Sequence, residues 1–262
     1  MFTIMHQIRV FFGGDICGSL GVACTVEVLP ELIKKESIDF VIVNGENAAE
    51  GSGIEPEQAD LLFKTGVHVI TGGNHSLERF NLRDTFAHHT RILRPANYPF
   101  APGGGLVTVR TGAACFTVLN LQGRQNMTPI DCPFQTADTL LSSVPDSIII
   151  VDFHAESVEE KEALAYYLDG RVSCVFGSHT HVQTADERIL PRGTGYISDA
   201  GMIGGVDSII GGEIEVTIQR NLTLVPHRFQ VQKTGKTLFC GIIADISNES
   251  KQTQALKRVY IS

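Results

Sequence analysis

Eight side chains able to bind a cation or carry a proton fall just past apolar runs: Asp15, Glu46, Asn47, Asn74, His75, His154, His179 and His181. They comprise two carboxylates, two amides and four imidazoles. Carboxylate and amide oxygens and imidazole nitrogens ligate metal ions, and imidazole also carries a proton near neutral pH. Such a mixture suits Mn, Fe or Zn better than a thiolate site would. Eight groups exceed the need of one tetrahedral ion and are about right for two ions sharing a bridge. Singly, each has a plainer reading. Asp15 after two glycines is a turn former. Glu46 is a solvated loop carboxylate, and His154 a satisfied core histidine. Gly73-Asn74-His75 alone is a loop with a helix N-cap. The argument for a site is that these groups recur at successive strand ends. His179-Thr180-His181 adds two imidazoles on alternate residues, which share a side of an extended strand.

The elements that must deliver them follow from apolar runs and breakers. Strands are expected at Ile8–Phe12, Ile38–Val43 and Val67–Ile70, with helices over Val22–Lys35, interrupted at Pro30, and over Pro56–Lys64. This strand–helix alternation predicts parallel pairing. Gly72 and Gly73 are expected to let the backbone turn tightly after the third strand. Farther on, Leu106–Arg110 and Cys115–Leu121 flank Thr111-Gly112 as a hairpin. Phe134–Leu141 and Ser157–Leu168 read as helices, Ser147–Val151 and Val172–Phe176 as strands. From Ile189 onward the chain is Gly-rich, with short strands and no convincing long helix. In open α/β sheets, ligands bind beyond the carboxyl ends of the strands, so distant residues would converge at one edge. Residues 1–262 read as a single domain with two sheets.

Composition bounds the function. Net charge is −8, which argues against broad binding to duplex nucleic acid or anionic membrane. A small phosphate ester bound through metal ions remains compatible with it. No run of about twenty apolar residues is present, so no membrane-spanning helix is expected. Met1–Val10 lacks the layout of a leader peptide. The six cysteines form no Cys-x-x-Cys pair and read as reduced thiols of a cytoplasmic protein.

Gly14-Asp15, Gly73-Asn74-His75, the isolated His154 and Gly177-Ser178-His179-Thr180-His181 resemble the calcineurin-like metallophosphoesterases. Four longer segments are similar to the YmdB-like bacterial cyclic-nucleotide phosphodiesterases. These are Asn44-Gly45-Glu46-Asn47-Ala48-Ala49, Arg94-Pro95-Ala96-Asn97-Tyr98-Pro99, Val151-Asp152-Phe153-His154-Ala155-Glu156 and His179-Thr180-His181-Val182-Gln183-Thr184-Ala185-Asp186. The likeness runs at least from Arg9 to about Phe229.

This resemblance implies an α/β fold, a four-layer α/β/β/α sandwich. It also implies two divalent metal ions per chain, Fe or Mn first and Zn or Mg as alternatives. The implied activity is hydrolysis of small cyclic nucleotides, notably 2′,3′-cyclic ones. By position, Glu46 matches the carboxylate that bridges the metals. Asp15, Asn47 and His181 match ligands of one ion, and Asn74, His154 and His179 match those of the other. His75 matches a catalytic histidine that binds no metal. The implied mechanism is attack by a hydroxide bridging ions roughly 3.5–4 Å apart. His75 would then protonate the leaving oxygen, worth about 10²–10⁴-fold. Two departures are visible. Asp15-Ile16-Cys17 stands where the superfamily has Asp-x-His, with Asn47 filling the gap and Cys17 either an apolar filler or a ligand. Ser76-Leu77-Glu78 replaces Thr-Trp-Asp beside His75, on the substrate-side wall.

Arg124 is a candidate for holding a phosphate oxygen, or a surface charge. Asn97 and Tyr98 are candidates for lining a nucleoside pocket, or parts of a turn between Pro95 and Pro99. Asp152 and Asp199 could orient ligand histidines. A phosphomonoesterase or nuclease on the same core, or a regulatory protein that binds nucleotide or RNA, are the competing readings. A homo-oligomer is a further expectation.

Overall fold

Side chains on a strand alternate between its two faces. Strand β1 (Gln7–Ile16) shows what this does here: Val10 and Phe12 enter one apolar core and Phe11 another, which Ile16 joins after a register shift between Gly13 and Asp15. The computed structural model describes residues 7–79, 82–112, 114–226 and 229–262. The Met1–His6 part of the stretch read for a leader lies outside them.

Helix α1 (Gly18–Glu36), strand β2 (Phe40–Asn44), helix α2 (Pro56–Thr65) and strand β3 (Val69–Thr71) follow β1. The three strands pair in parallel, as the alternation predicts. A short helix α3 (Leu82–His88) leads to the second sheet. There, β4 (Leu106–Thr111) and β5 (Ala114–Gln122) form the expected hairpin. Helix α4 (Pro133–Leu141), β6 (Ile148–His154), α5 (Val158–Leu168), β7 (Cys174–Ser178), β8 (Arg188–Ile189) and β9 (Gly195–Ile197) complete that part. The chain then returns to the first sheet through β10 (Met202–Gly205), α6 (Ile214–Thr223), β11 (Thr237–Ser247) and β12 (Thr253–Ile261). The two orders are β12-β11-β10-β1-β2-β3 and β4-β5-β6-β7-β9-β8.

Three buried clusters define four layers. Leu29, Leu32 and Leu62 of α1 and α2 pack on Val41 and Val43 of the first sheet. Phe12, Phe40 and Ile42 meet Phe116, Ile150 and Phe176 between the sheets. Leu164, Ala165 and Leu168 of α5, with Ala137 of α4, cover Leu121 and Phe153 on the far face of the second sheet. This is the α/β/β/α sandwich. Phe40 and Phe116, one from each sheet, stack with centroids 4.1 Å apart. Full burial of such a ring stabilises by roughly 1.5–3 kcal/mol.

Several boundaries differ from expectation. β1 does not stop at Phe12; it runs through Gly13-Gly14-Asp15 to pair with Met202 and Ile203 of β10, and its glycines let neighbouring groups approach closely. A Cβ on Gly14 would lie 2.0 Å from the Gly201 carbonyl. α1 passes through Pro30 unbroken. Pro30 is exposed, so the carbonyl whose partner it removes faces water. The last third carries a ten-residue helix, α6, and two long strands, where short strands and no convincing long helix were expected. The repeat Ile214, Ile218, Leu222 is helical in spacing but exposed, so it gave no buried-stripe signal.

His68, at the entry to β3, stacks on Phe40 at 4.7 Å, and its Nδ1 accepts from the Val41 N–H at 3.1 Å. Burial, and then the nearby Arg91 charge, hold its pKa below the ordinary value. Below about pH 6.5 the unfolded chain takes up a proton that the folded chain refuses. The stabilisation is therefore complete above that pH and is lost as pH falls toward the folded value. Urea denaturation at pH 7.5 and 5.5 should show wild type losing more stability on acidification than His68→Asn. Equal losses would refute this account.

Candidate metal centre

Register places the ligand-type residues at one edge. Asp15 is level with Asn44, Asn44 with Thr71, and His154 with Ser178. Asp15 and the loops after β2 and β3 therefore meet the ends of β6 and β7 across the sandwich. Asp15 and His154 lie inside their strands rather than after them.

His154 Nε2 is the centre of the cluster. Glu46 Oε1, Asn74 Oδ1 and His179 Nδ1 each lie 3.0 Å from it. Its other nitrogen, Nδ1, is 2.9 Å from Ser178 Oγ, and the Ser178 hydroxyl donates to Asp152 Oδ1 at 2.6 Å. A hydroxyl has one proton, so Ser178 must accept from His154 Nδ1–H when Asp152 is ionised. Nε2 then presents a bare lone pair to two oxygens and another imidazole. His179 gives its Nε2 to Glu156 at 3.1 Å, so its Nδ1 also faces inward. Four converging lone pairs repel unless a cation lies among them.

Electrostatics agree. Burial opposes ionisation of Glu46, yet the charges of His154 and His75 outweigh it and draw its pKa down to about 2. Burial likewise opposes charging His154, and Glu46 reverses that. Burial and the His154 charge push His179 down to about 3. Thus one proton does for Glu46 what a metal ion would do more strongly.

The second group is Asp15, Asn47 and His181. Asp15 is fully buried, and its Oδ1 has no hydrogen-bond partner. An orphaned buried carboxylate oxygen is costly unless a cation meets it. Asn47 Nδ2 lies 3.2 Å from His181 Nε2 and 3.0 Å from Glu46 Oε1. Half a turn of that amide brings an oxygen ligand to the same place. His181 Nδ1 donates to the Ile210 carbonyl at 2.7 Å, leaving Nε2 for a metal. Cys17 Sγ is 3.5 Å from that same Nδ1, the side turned away from the cluster. The donor set as a whole fits divalent cations.

Close approach to the cluster is built into the backbone. A Cβ on Gly73 would come within 2.3 Å of Glu46 Oε2 and His154 Nε2. One on Gly72 would be 2.0 Å from Ser76 Oγ. Neither glycine has positive φ, so close approach, not the expected tight turn, explains both. Asn120 clamps Gly72 through both its N–H and its carbonyl, each at 3.0 Å. His179 (φ 108°) and His181 (φ 65°) occupy the left-handed region, a strain of about 1–3 kcal/mol each. Asp199 holds that loop by accepting from Thr180 N at 2.9 Å, and the buried Lys161 neutralises it at 3.0 Å. Asp199 therefore orients the backbone, not an imidazole ring. Asp152 orients His154 only through Ser178.

His75 anchors its backbone N–H on Glu46 Oε2 at 2.9 Å, and its Nδ1 lies 3.0 Å from Glu78 Oε1. It borders a cleft of about 560 Å³ shared with Glu46, Asn47, His179 and His181. Of the substrate candidates, Tyr98 stands near enough to Glu46 and Glu78 for their charges to raise its pKa, after burial. Its hydroxyl donates to Gln122 at 2.9 Å. Asn97 spends its amide on main-chain atoms of Gln122 and Asp131, as a turn residue does. Arg124 borders a separate pocket with Phe134 and Glu159. None of Tyr98, Asn97 and Arg124 is among the residues that line the cleft. Sequence reasoning missed Ser178, although it stands inside the Gly-Ser-His-Thr-His motif. It also missed Ile210, Arg220 and Phe229, which line the cleft without any local pattern.

A family model described as YmdB-like protein matches residues 11–259. A Bacillus subtilis (strain 168) protein named 2′,3′-cyclic-nucleotide 2′-phosphodiesterase is 42% identical over 258 residues, 97% of each chain. A solved structure of a hypothetical protein from Thermus thermophilus superposes with TM-score 0.91 at 37% identity, over 97% of this chain and 99% of that one. A structure described as a novel phosphatase from Mycoplasma pneumoniae gives TM-score 0.92 at 32% identity, over 98% and 94%.

Ser178→Ala removes the acceptor that sets the His154 tautomer while barely changing volume. Its affinity for Mn²⁺, read by competition with a chromophoric chelator, should fall about 10–100-fold. An affinity equal to wild type would show that the Asp152–Ser178 relay does not set the ligand.

Proposed function

This chain belongs to the YmdB-like family, and we propose that it is a metal-dependent phosphodiesterase of small cyclic nucleotides, 2′,3′-cyclic nucleoside monophosphates first among them. The observation that carries the reading is the convergence of Glu46, Asn74 and His179 on His154 Nε2, each at 3.0 Å, beside a cleft that also presents His75. Its relatives' names support the same class: one is named a 2′,3′-cyclic-nucleotide 2′-phosphodiesterase. The shared core between the sheets supports reading residues 1–262 as one domain.

Two divalent ions per chain, Fe or Mn before Zn or Mg, would be held by Asn74, His154 and His179 on one side and Asp15, Asn47 and His181 on the other, with Glu46 between. Bound there, they would activate water for attack at neutral pH and offset charge on the phosphate oxygens. His75 does the proton work. Glu78 fixes its Nδ1, which leaves Nε2–H to protonate the departing ribose oxygen. The P–O ester bond breaks, the new P–O bond comes from water, and the product is a nucleoside monophosphate. His75 then regains its proton from solvent. Glu78 thus has a stated role at the position where the subgroup carries a different residue.

A phosphomonoesterase reading draws on the Mycoplasma relative described as a phosphatase. Product analysis separates the two. Mn²⁺-loaded protein is given 2′,3′-cyclic AMP, 3′,5′-cyclic AMP and a phosphomonoester side by side. Opening of the 2′,3′-cyclic ester, slowed about 10²–10⁴-fold in His75→Ala, is the expected result. Phosphate release from the monoester alone would replace the diesterase reading with the phosphatase one.

A further inference from the structure

The side chains of one wall of the cleft take no part in the chemistry above. Among the described lining residues, Ile210 and Phe229 are its large apolar side chains, and Arg220 stands beside them. Three independent features mark this wall as built for a ligand.

Ile210 has φ 48°. A β-branched residue in the left-handed region is an outlier, and Gly or Asn would sit there at less cost. Its carbonyl is needed by His181, but any residue supplies a carbonyl. The isoleucine side chain is 45% exposed, so core packing does not explain it. Phe229 occupies a slot that only glycines leave open. A Cβ on Gly51 would approach its ring to 2.8 Å, and one on Gly212 to 2.7 Å. Gly51 in turn donates its N–H to the Asn47 carbonyl at 3.1 Å, which ties the ring to a metal-ligating residue. Arg220, in the last turn of α6, has no side-chain partner among the described residues. The other arginine of the cleft, Arg79, is spent on the Ser52 and Ala49 carbonyls and on Glu55.

An apolar surface with one uncommitted guanidinium matches a flat heterocycle with acceptors on its rim. Aromatic stacking tolerates any base, and a guanidinium donates to ring nitrogens and carbonyls. A sugar phosphate alone would leave the wall wet and Arg220 unused. We propose that Ile210, Phe229 and Arg220 form the base subsite of the cleft, so that the substrate is a nucleotide and not a bare phosphodiester. This rests on the phosphodiesterase reading for the placement of the phosphate.

The test compares 2′,3′-cyclic AMP with its base-free counterpart, methyl ribofuranoside 2′,3′-cyclic phosphate. Wild type should favour the nucleotide about tenfold or more in kcat/KM, as base stacking supplies. Phe229→Ala, Ile210→Asn and Arg220→Gln should each cut that ratio several-fold, mainly through KM. Ile210→Asn keeps the left-handed backbone, and Arg220 is exposed, so neither depends on repacking the core. Equal rates on both substrates in wild type, or a ratio that survives all three changes, would overturn the subsite and leave the phosphodiesterase reading standing. If neither substrate turns over, the catalytic reading falls and calorimetry of adenosine 3′-monophosphate decides the subsite by itself. Binding weakened in Phe229→Ala upholds it, and no binding by wild type overturns it.

Discussion

Everything at this edge depends on one nitrogen. His154 Nε2 faces a carboxylate oxygen, an amide oxygen and a second imidazole, all at 3.0 Å. Glu46 and Asn74 come from the first sheet, His154 and His179 from the second. Mutual repulsion of these lone pairs would drive the sheets' edges apart without a positive charge between them. The sandwich core below holds them together: Phe40 on Phe116, and Phe12 against Phe176. Asn44 reaches Asp152 at 3.0 Å, and Asn120 clamps Gly72, so polar bridges continue that core up to the site. The fold concentrates its electrostatic cost at the place where a cation would repay it.

The same edge concentrates backbone strain and missing side chains. His179, His181 and Ile210 hold left-handed conformations that ordinary residues avoid. Gly73 has given up a side chain so that Glu46 and His154 can approach. Asp199 and Lys161 form a buried ion pair whose geometric return is the Thr180 amide held in place. Buried pairs are poor contributors to stability. Here the pair restrains a strained loop that carries two imidazoles.

Family membership and local geometry meet at different resolutions. The relatives speak for the class of reaction, and the cleft supplies the surroundings in which it would run. Three carboxylates, Glu46, Glu50 and Glu78, line the cleft beside two arginines, Arg79 and Arg220. Metal ions held there, as proposed, would meet an entering phosphate and leave Arg220 for the base. This agrees with the chain's net charge of −8, which disfavours long polyanions but leaves a small phosphate ester free to bind.

Much was legible from residue types alone. Strand–helix alternation announced the parallel half, and repeated polar groups after apolar runs announced the edge where they gather. Both are local signals, because alternation and strand ends are properties of neighbouring residues. The roles of Gly72 and Gly73 were not legible, since the atoms that would collide with their side chains come partly from elsewhere in the chain. Ser178, Asn120, Ile210, Arg220 and Phe229 were equally silent. α6 escaped because its apolar stripe faces outward, and periodicity informs only when burial enforces it. The sequence by itself determined which groups could do chemistry and that strand ends would carry them. Only the tertiary structure decided which nitrogen of His154, His179 and His181 faces inward, because that choice is made by hydrogen-bond partners more than twenty residues away.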